Sequence, residues 1–233
     1  MWVIERFNPR ILTGTNKSSD FSLNSLTRMR SAPTRPIVNP GSRHSPPSPR
    51  TVELLQTEKL RFENQGAGIW VNVVPHPEAK PSYCDDNVAA QIRDHGGEPV
   101  SVWDITESGP FVEIEAHMIW RAPDGRLLDV SPSLLGATRH FVIPSLAPFT
   151  RPFPGNVLLP LSSDPRLREF AYYSSLANAV IAPNRVPGQM IIRTDVLRIW
   201  ARDFVEKEKV TCDMGKLVSA CLAVLVSRGA TVS

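Results

Sequence analysis

Residues 111–131, FVEIEAHMIWRAPDGRLLDVS, constrain the fold more than any other part of the chain. In their first half every second residue is apolar: Val112, Ile114, Ala116, Met118 and Trp120. The residues between them include Glu113, Glu115, His117 and Arg121. A period of two is the signature of a strand with one apolar face, because successive side chains point to opposite sides. Pro123-Asp124-Gly125 then supplies a type I turn closed by a glycine bulge. The expected structure is an antiparallel hairpin of strands Phe111 to Arg121 and Arg126 to Ser131. A three-residue loop pairs Ala122 with Arg126. That register sets His117 opposite Ser131, with Asp129 its diagonal neighbour on the same face, roughly 7–8 Å away at the backbone. A slip of one residue would separate the two.

The chain before the hairpin leads into it. Ile69 to Val74 reads as a strand and His76 as a loop residue, while residues 51–64 suit a short helix or a strand. A helix is expected from Ser82, with Ser82 and Asp85 forming an acidic variant of the capping box. Gly96-Gly97 ends it, since glycine adopts a left-handed C-cap without penalty. Cys84 falls in the first turn of this helix. Asn87 shares its face, and Val88, Ile92 and His95 continue the stripe. Pro99 to Glu107 is the strand that precedes the hairpin.

After the hairpin, residues 132–161 read as a proline-rich wrapping loop with one strand at His140 to Ile143, His140 itself being a surface or strand-edge residue. The last third is helical. The first helix has a serine cap, Pro165 in its first turn, and a stripe of Leu167, Phe170, Ala171, Ala177, Val180 and Ile181. The second starts at Thr194-Asp195 and carries Val196, Ile199, Trp200 and Phe204. The third places Met214, Leu217, Val218, Cys221, Leu222 and Leu225 at helical spacing and ends at Arg228-Gly229. The expected class is α+β: a small, mostly antiparallel sheet, a helix with a cysteine at its N-terminus, and a helical C-terminal part. Residues 51–233 form one domain.

Residues 1–50 differ in kind. They are rich in Ser, Pro, Arg and Asn, show no periodicity, and read as a disordered basic tail. They hold eight Lys/Arg against two acids, a net +6 that leaves −3 for residues 51–233. A mildly acidic folded part argues against a nucleic-acid-binding fold, apart from weak contacts of the tail. Three widely spaced cysteines, Cys84, Cys212 and Cys221, are no disulfide framework. Neither a secretory signal nor a membrane span is expected, so the expected location is the cytoplasm.

Cys84, His117 and Asp129 follow one another in an order that suits thiol chemistry. A thiolate at a helix N-terminus is stabilised by the macrodipole. A histidine serves as base or ion-pair partner, and a carboxylate behind it fixes the imidazole. Backbone N–H groups at the helix start, with Asn87 or Gln65 as side-chain options, are the candidate oxyanion or orienting groups. Against this stand Asp85 and Asp86, because adjacent negative charge disfavours a thiolate. A metal site is not expected: Cys84 and His95 lie roughly 16 Å apart along one helix, and no C-x-x-C or H-x-x-x-H spacing occurs. No cofactor is expected either.

The pattern C-x-x-N-V, then H-G-G, then E-x-E-x-H-x-x-W-x-x-P-D-G-x-x-x-D-V-S-P, resembles a group of bacterial proteins without an assigned activity. The helix–strand–strand core with its Cys, His and Asp resembles the papain-like and transglutaminase-like superfamily. That resemblance implies a nucleophile at Cys84, a base at His117 and an orienting carboxylate at Asp129. The implied activity is a cysteine-dependent hydrolase or acyl transferase acting on a peptide or amide. The alternative is a non-catalytic binding or structural protein of the same fold.

Overall fold

The computed structural model describes residues 47–57, 68–133, 136–184, 191–227 and 230–232. Most of the expected tail, as well as Gln65 and the Arg228-Gly229 stop, lies outside them. The protein is α+β, and the described residues form five α-helices and a mixed six-stranded sheet. In chain order the elements that matter here are α1 (Pro49–Thr57), β1 (Ile69–Val73), α2 (Cys84–His95), β2 (Glu98–Ser108), β3 (Phe111–Arg121), β4 (Leu127–Asp129), β5 (Arg139–Pro144) and β6 (Val157–Pro160). Helices α3 (Pro165–Ile181), α4 (Thr194–Glu208) and α5 (Met214–Ser227) follow, with a parallel pair β7 (Ile191–Ile192) and β8 (Thr231–Val232) beside them.

The hairpin has the expected register. Trp120 pairs with Leu128 and Arg121 with Leu127, and the Ala122 N–H donates to the Arg126 carbonyl at 2.9 Å. Gly125 carries the positive φ (87°) that the bulge requires. Further along, the sheet departs from a simple meander. β3 pairs with β2 and β4, β4 runs parallel to β1, β1 pairs with β5, and β5 returns to β2. These pairings form a closed ring, and β6 adds to the outer end of β3.

Closure gives β3 two buried faces. Val71, Val102, Ile119 and Val142, with Ile69, Val100 and Leu127, pack as one cluster to which all five ring strands contribute. That is the interior of a small barrel. On the other face, Ala116, Ile114 and Val112 join Trp103, Ile105, Val157 and Leu159, while Trp120 and Ala122 meet Val88 of α2 and Val130. The odd-numbered face of β3 was expected to be polar. Its far half instead holds fully buried Ile119 and buried His117, because a barrel turns what would be a solvent face into a core.

Helix α2 starts at Cys84, two residues later than the capping-box reading. Tyr83 is the N-cap and makes no side-chain cap bond, and Ser82 takes a left-handed φ of 67°. The Gly96-Gly97 stop is as expected, and Gly97 has a second reason to be glycine. A Cβ there would lie 2.3 Å from the Arg121 carbonyl and 2.6 Å from Trp120 Nε1. Trp120 Nε1 donates to the Gly96 carbonyl at 2.8 Å, fixing the end of α2 to the barrel.

Other expectations need correction. Residues 47–50 belong to the fold: the Ser48 N–H and the Thr51 hydroxyl both donate to Glu107 Oε2, at 3.0 and 2.7 Å. β6 lies inside the expected wrapping loop. The cap of α3 is Asp164, which accepts from the Arg166 N–H at 2.9 Å, and Phe170 is exposed. In α4 the buried seam is Leu197 and Ala201, whereas Ile199 is exposed. The stripe of α5 holds, with Leu217, Val218, Cys221 and Leu225 buried. Among the described residues, no helix is long and apolar enough to cross a membrane.

Candidate active site

The site forms at one end of the barrel interior. His117 has the same strand parity as Ile119, and Asp129 the same as Leu127, so both point inward. His117 Nε2 and Asp129 Oδ2 are 2.9 Å apart, and Asp129 is completely buried. The other carboxylate oxygen, Oδ1, accepts the Ser131 N–H at 2.9 Å. Asp129 is therefore held at both oxygens and presents one of them to the imidazole.

On the edge of β3 away from β2, β4 pairs only with residues 120–121 and β6 only with residues 111–114. The stretch around His117 lacks a described strand on that side. Cys84 begins α2 and is half-buried, whereas His117 and Asp129 are buried.

Electrostatics follow from this order. Burial is the largest influence on His117 and alone would favour the neutral ring. The Asp129 hydrogen bond, then the Cys84 thiol, outweigh it and raise its pKa well above the ordinary histidine value. Burial acts on Asp129 in the opposite sense, but the hydrogen bond from His117 and the close approach of the His140 ring keep its carboxyl well below the usual carboxylate range. The pair is thus an imidazolium held by a carboxylate.

Asp85 and Asp86 do not face the thiol uncompensated. The Arg151 guanidinium pairs with Asp85 and, at 2.6 Å, with Asp86. The side-chain amide of Asn87 is engaged on both sides. Its Oδ1 accepts the Lys80 N–H at 2.9 Å, while Nδ2 donates to the Lys80 carbonyl at 2.8 Å and to Ser131 Oγ at 3.1 Å. It ties the approach to α2 to the segment that follows Asp129. The backbone N–H of Cys84 lies in the first turn, where it has no intrahelical acceptor, and Gln65 lies outside the described residues.

Two residues of this end of the barrel were missed by the sequence reading. His140, expected at the surface, is buried, with its Nδ1 at 3.0 Å from Asp129 Oδ2 and 3.4 Å from Asp104 Oδ2. Asp104 is buried as well. The clue lay in their surroundings: Asp104 stands among Val100, Val102, Trp103 and Ile105, and His140 directly precedes Phe141, Val142 and Ile143. His76, expected in a loop, is also buried, with Nε2 at 3.1 Å from Asp94 Oδ2 of α2.

Donor atoms of His117, Asp129 and His140 all lie within 4.8 Å of one another. Both nitrogens lie close to a single carboxylate oxygen, at 2.9 and 3.0 Å. Cys84 is outside that group. Comparison with known proteins adds no further guide: no family model, curated protein or solved structure matches the chain.

Proposed function

We propose that the protein is a cysteine-dependent hydrolase or acyl transferase acting on a peptide or amide carbonyl. The observation that carries this reading is the buried His117–Asp129 pair at 2.9 Å, together with a half-buried thiol at the start of α2 whose charge favours the protonated His117 ring. His117 in its protonated form is the counter-ion that a reactive thiolate needs. Cys84 Sγ adds to the carbonyl carbon, and the carbonyl π pair moves onto oxygen, which the Cys84 N–H faces. Collapse of this adduct expels the amine, which takes the proton from His117, and leaves a thioester on Cys84. Water or an acceptor amine then adds to the thioester. His117 takes its proton, and the thiolate leaves. Asp129 holds the imidazole orientation throughout.

Alkylation tests the reading without a known substrate. Burial raises the pKa of both other thiols, Cys221 to about 12, so an alkylating reagent at neutral pH discriminates in favour of Cys84. Iodoacetamide at neutral pH should modify Cys84 in the wild type about ten-fold faster than in His117→Ala. Mass spectrometry of the labelled peptide identifies the site. Equal rates in the two proteins would return the fold to the alternative, a non-catalytic binding or structural role.

A further inference from the structure

The proposed mechanism uses His117 and Asp129 of the four ionisable groups buried at this end of the barrel. His140 and Asp104 are left over, and both are buried. They come from strands that close the ring, β5 and β2. His140 has the parity of Val142 and lies opposite Val71, while Asp104 has the parity of Val102 and lies opposite Val142. Both side chains therefore enter the same interior as His117 and Asp129. The two imidazole rings sit edge to face, with centroids 6.2 Å apart.

We propose that His140, backed by Asp104, is a positioning residue that shares Asp129 with His117 and thereby sets how tightly His117 holds its proton. The inference rests on the thiol-chemistry reading for its purpose, but its geometry stands separately. His117 Nε2 and His140 Nδ1 approach the same oxygen, Asp129 Oδ2, at 2.9 and 3.0 Å. The approach of His140 is out of line for a hydrogen bond, and neither of its ring nitrogens makes one with the described residues. Its hold on Asp129 and Asp104 is that of an ion pair. Two carboxylates and two imidazolium rings leave the enclosed cluster neutral, the condition under which buried charges persist.

The groups that face His140 are Asp104 from β2, His117 from β3 and Asp129 from β4. From β1 it meets only apolar Val71. Glu115, across from Asp104, is at the exposed end and outside this set. Asp129 and Asp104 favour the charged His140 ring while His117 opposes it, and the net direction is upward despite burial. Each imidazolium thus weakens the claim of the other on Asp129. Without His140 the whole charge of Asp129 falls to His117, which then releases its proton to a leaving amine less readily.

Ring-nitrogen NMR of the full chain from about pH 5 to about pH 10 reads this directly. In the wild type, His117 and His140 should titrate as a coupled pair, each showing the other's step. In His140→Leu, His117 should titrate in one step displaced upward by about one pH unit. In His140→Gln, which keeps an N–H donor but no charge, and in Asp104→Asn, which weakens the charge on His140, the displacement should be smaller and in the same direction. A merely structural role would move none of these curves in variants that keep the wild-type near-UV circular dichroism. Should His140→Leu fail to fold, the other two variants are read by the same criterion. The proposal is overturned if His117 titrates identically in the folded variants and the wild type. It is equally overturned if wild-type His140 titrates alone near the ordinary value of about 6.5. Because the measurement reads imidazoles and not the thiol, an inert Cys84 beside a coupled histidine pair would sink the catalytic reading while leaving this one intact.

Discussion

The two halves of the molecule solve the problem of burial in opposite ways. The C-terminal helices enclose a cluster that is apolar throughout: Leu176, Ala177, Val180 and Ile181 from α3, Leu197 and Ala201 from α4, and Leu217, Cys221 and Leu225 from α5. The barrel encloses an apolar layer at Val71, Val102, Ile119 and Val142 and, beside it, four ionisable side chains. One residue type takes a different fate in each half. Cys221, fully buried in the helical cluster, is a small apolar filler. Cys84, half-buried at a helix start, is the thiol that the proposed chemistry uses. Burial in the helical half therefore serves stability alone. In the barrel it also serves to hold charges at fixed distances, a costly arrangement unless every charge has a partner.

The largest effect expected from breaking this contrast is that of Asp129→Ala. It leaves two buried imidazoles without their shared counter-ion, and removal of one partner from a buried charged set costs about 3–5 kcal/mol. The size should depend on pH in a stated way. His117 has a raised pKa when folded, so its contribution is full below the ordinary histidine value of about 6.5 and is lost as pH rises through the raised one. Asp129 has a lowered pKa, so its contribution is full above about pH 4 and is lost as pH falls through the lowered one. Urea denaturation should therefore show the greatest difference between wild type and variant between about pH 4 and 6.5, shrinking towards alkaline pH. A difference that grew with rising pH would mean that His117 is neutral in the folded protein.

Leu217→Ala is the matching change in the helical half. Leu217 is fully buried, and its truncation should cost about 3 kcal/mol with no comparable dependence on pH. The Cys84 alkylation rate at neutral pH should stay at its wild-type value, measured well below the unfolding midpoint. A change in that rate would mean that the helical cluster sets the geometry of the barrel site, and the two halves would no longer be separable.

The same contrast explains what could be read from the sequence. Local rules govern the hairpin, where Pro123-Asp124-Gly125 fixes the register and the register brings His117 to Asp129. Local rules also govern α5, whose apolar residues form one narrow stripe. α4 has a wider apolar arc, so Leu197 and Ala201 could not be told from Ile199 by periodicity alone. The fate of His140 depended on long-range closure. Its strand lies between β2 and β1, and the face on which it is buried exists only once the ring has formed. Asp104 was hidden for the same reason, and β6 because four residues in a proline-rich segment carry too little pattern. What the sequence did offer was an acid and a histidine in strands apolar on both faces. Such residues need buried partners, and that demand was legible before the partners were.

The smallest predicted effect concerns Arg151, which lies outside the barrel and sharpens the contrast from the surface. Its guanidinium spans Asp85 and Asp86 next to the thiol, and both it and Asp86 are half exposed. An exposed pair of this kind adds little to stability, so Arg151→Gln should leave the urea midpoint in place. Its effect should lie in the field at Cys84. With the two carboxylates uncompensated, alkylation should slow a few-fold at low salt and recover as the Debye length shortens to about 3 Å near 1 M salt. Charge on the reagent separates field from structure: anionic iodoacetate should be slowed more than neutral iodoacetamide, because only the former is itself repelled by Asp85 and Asp86. Equal slowing of both reagents, indifferent to salt, would assign Arg151 a different role, that of holding the first turn of α2 in place. The acidic pair would then be a part of the helix terminus and not of the site's electrostatics.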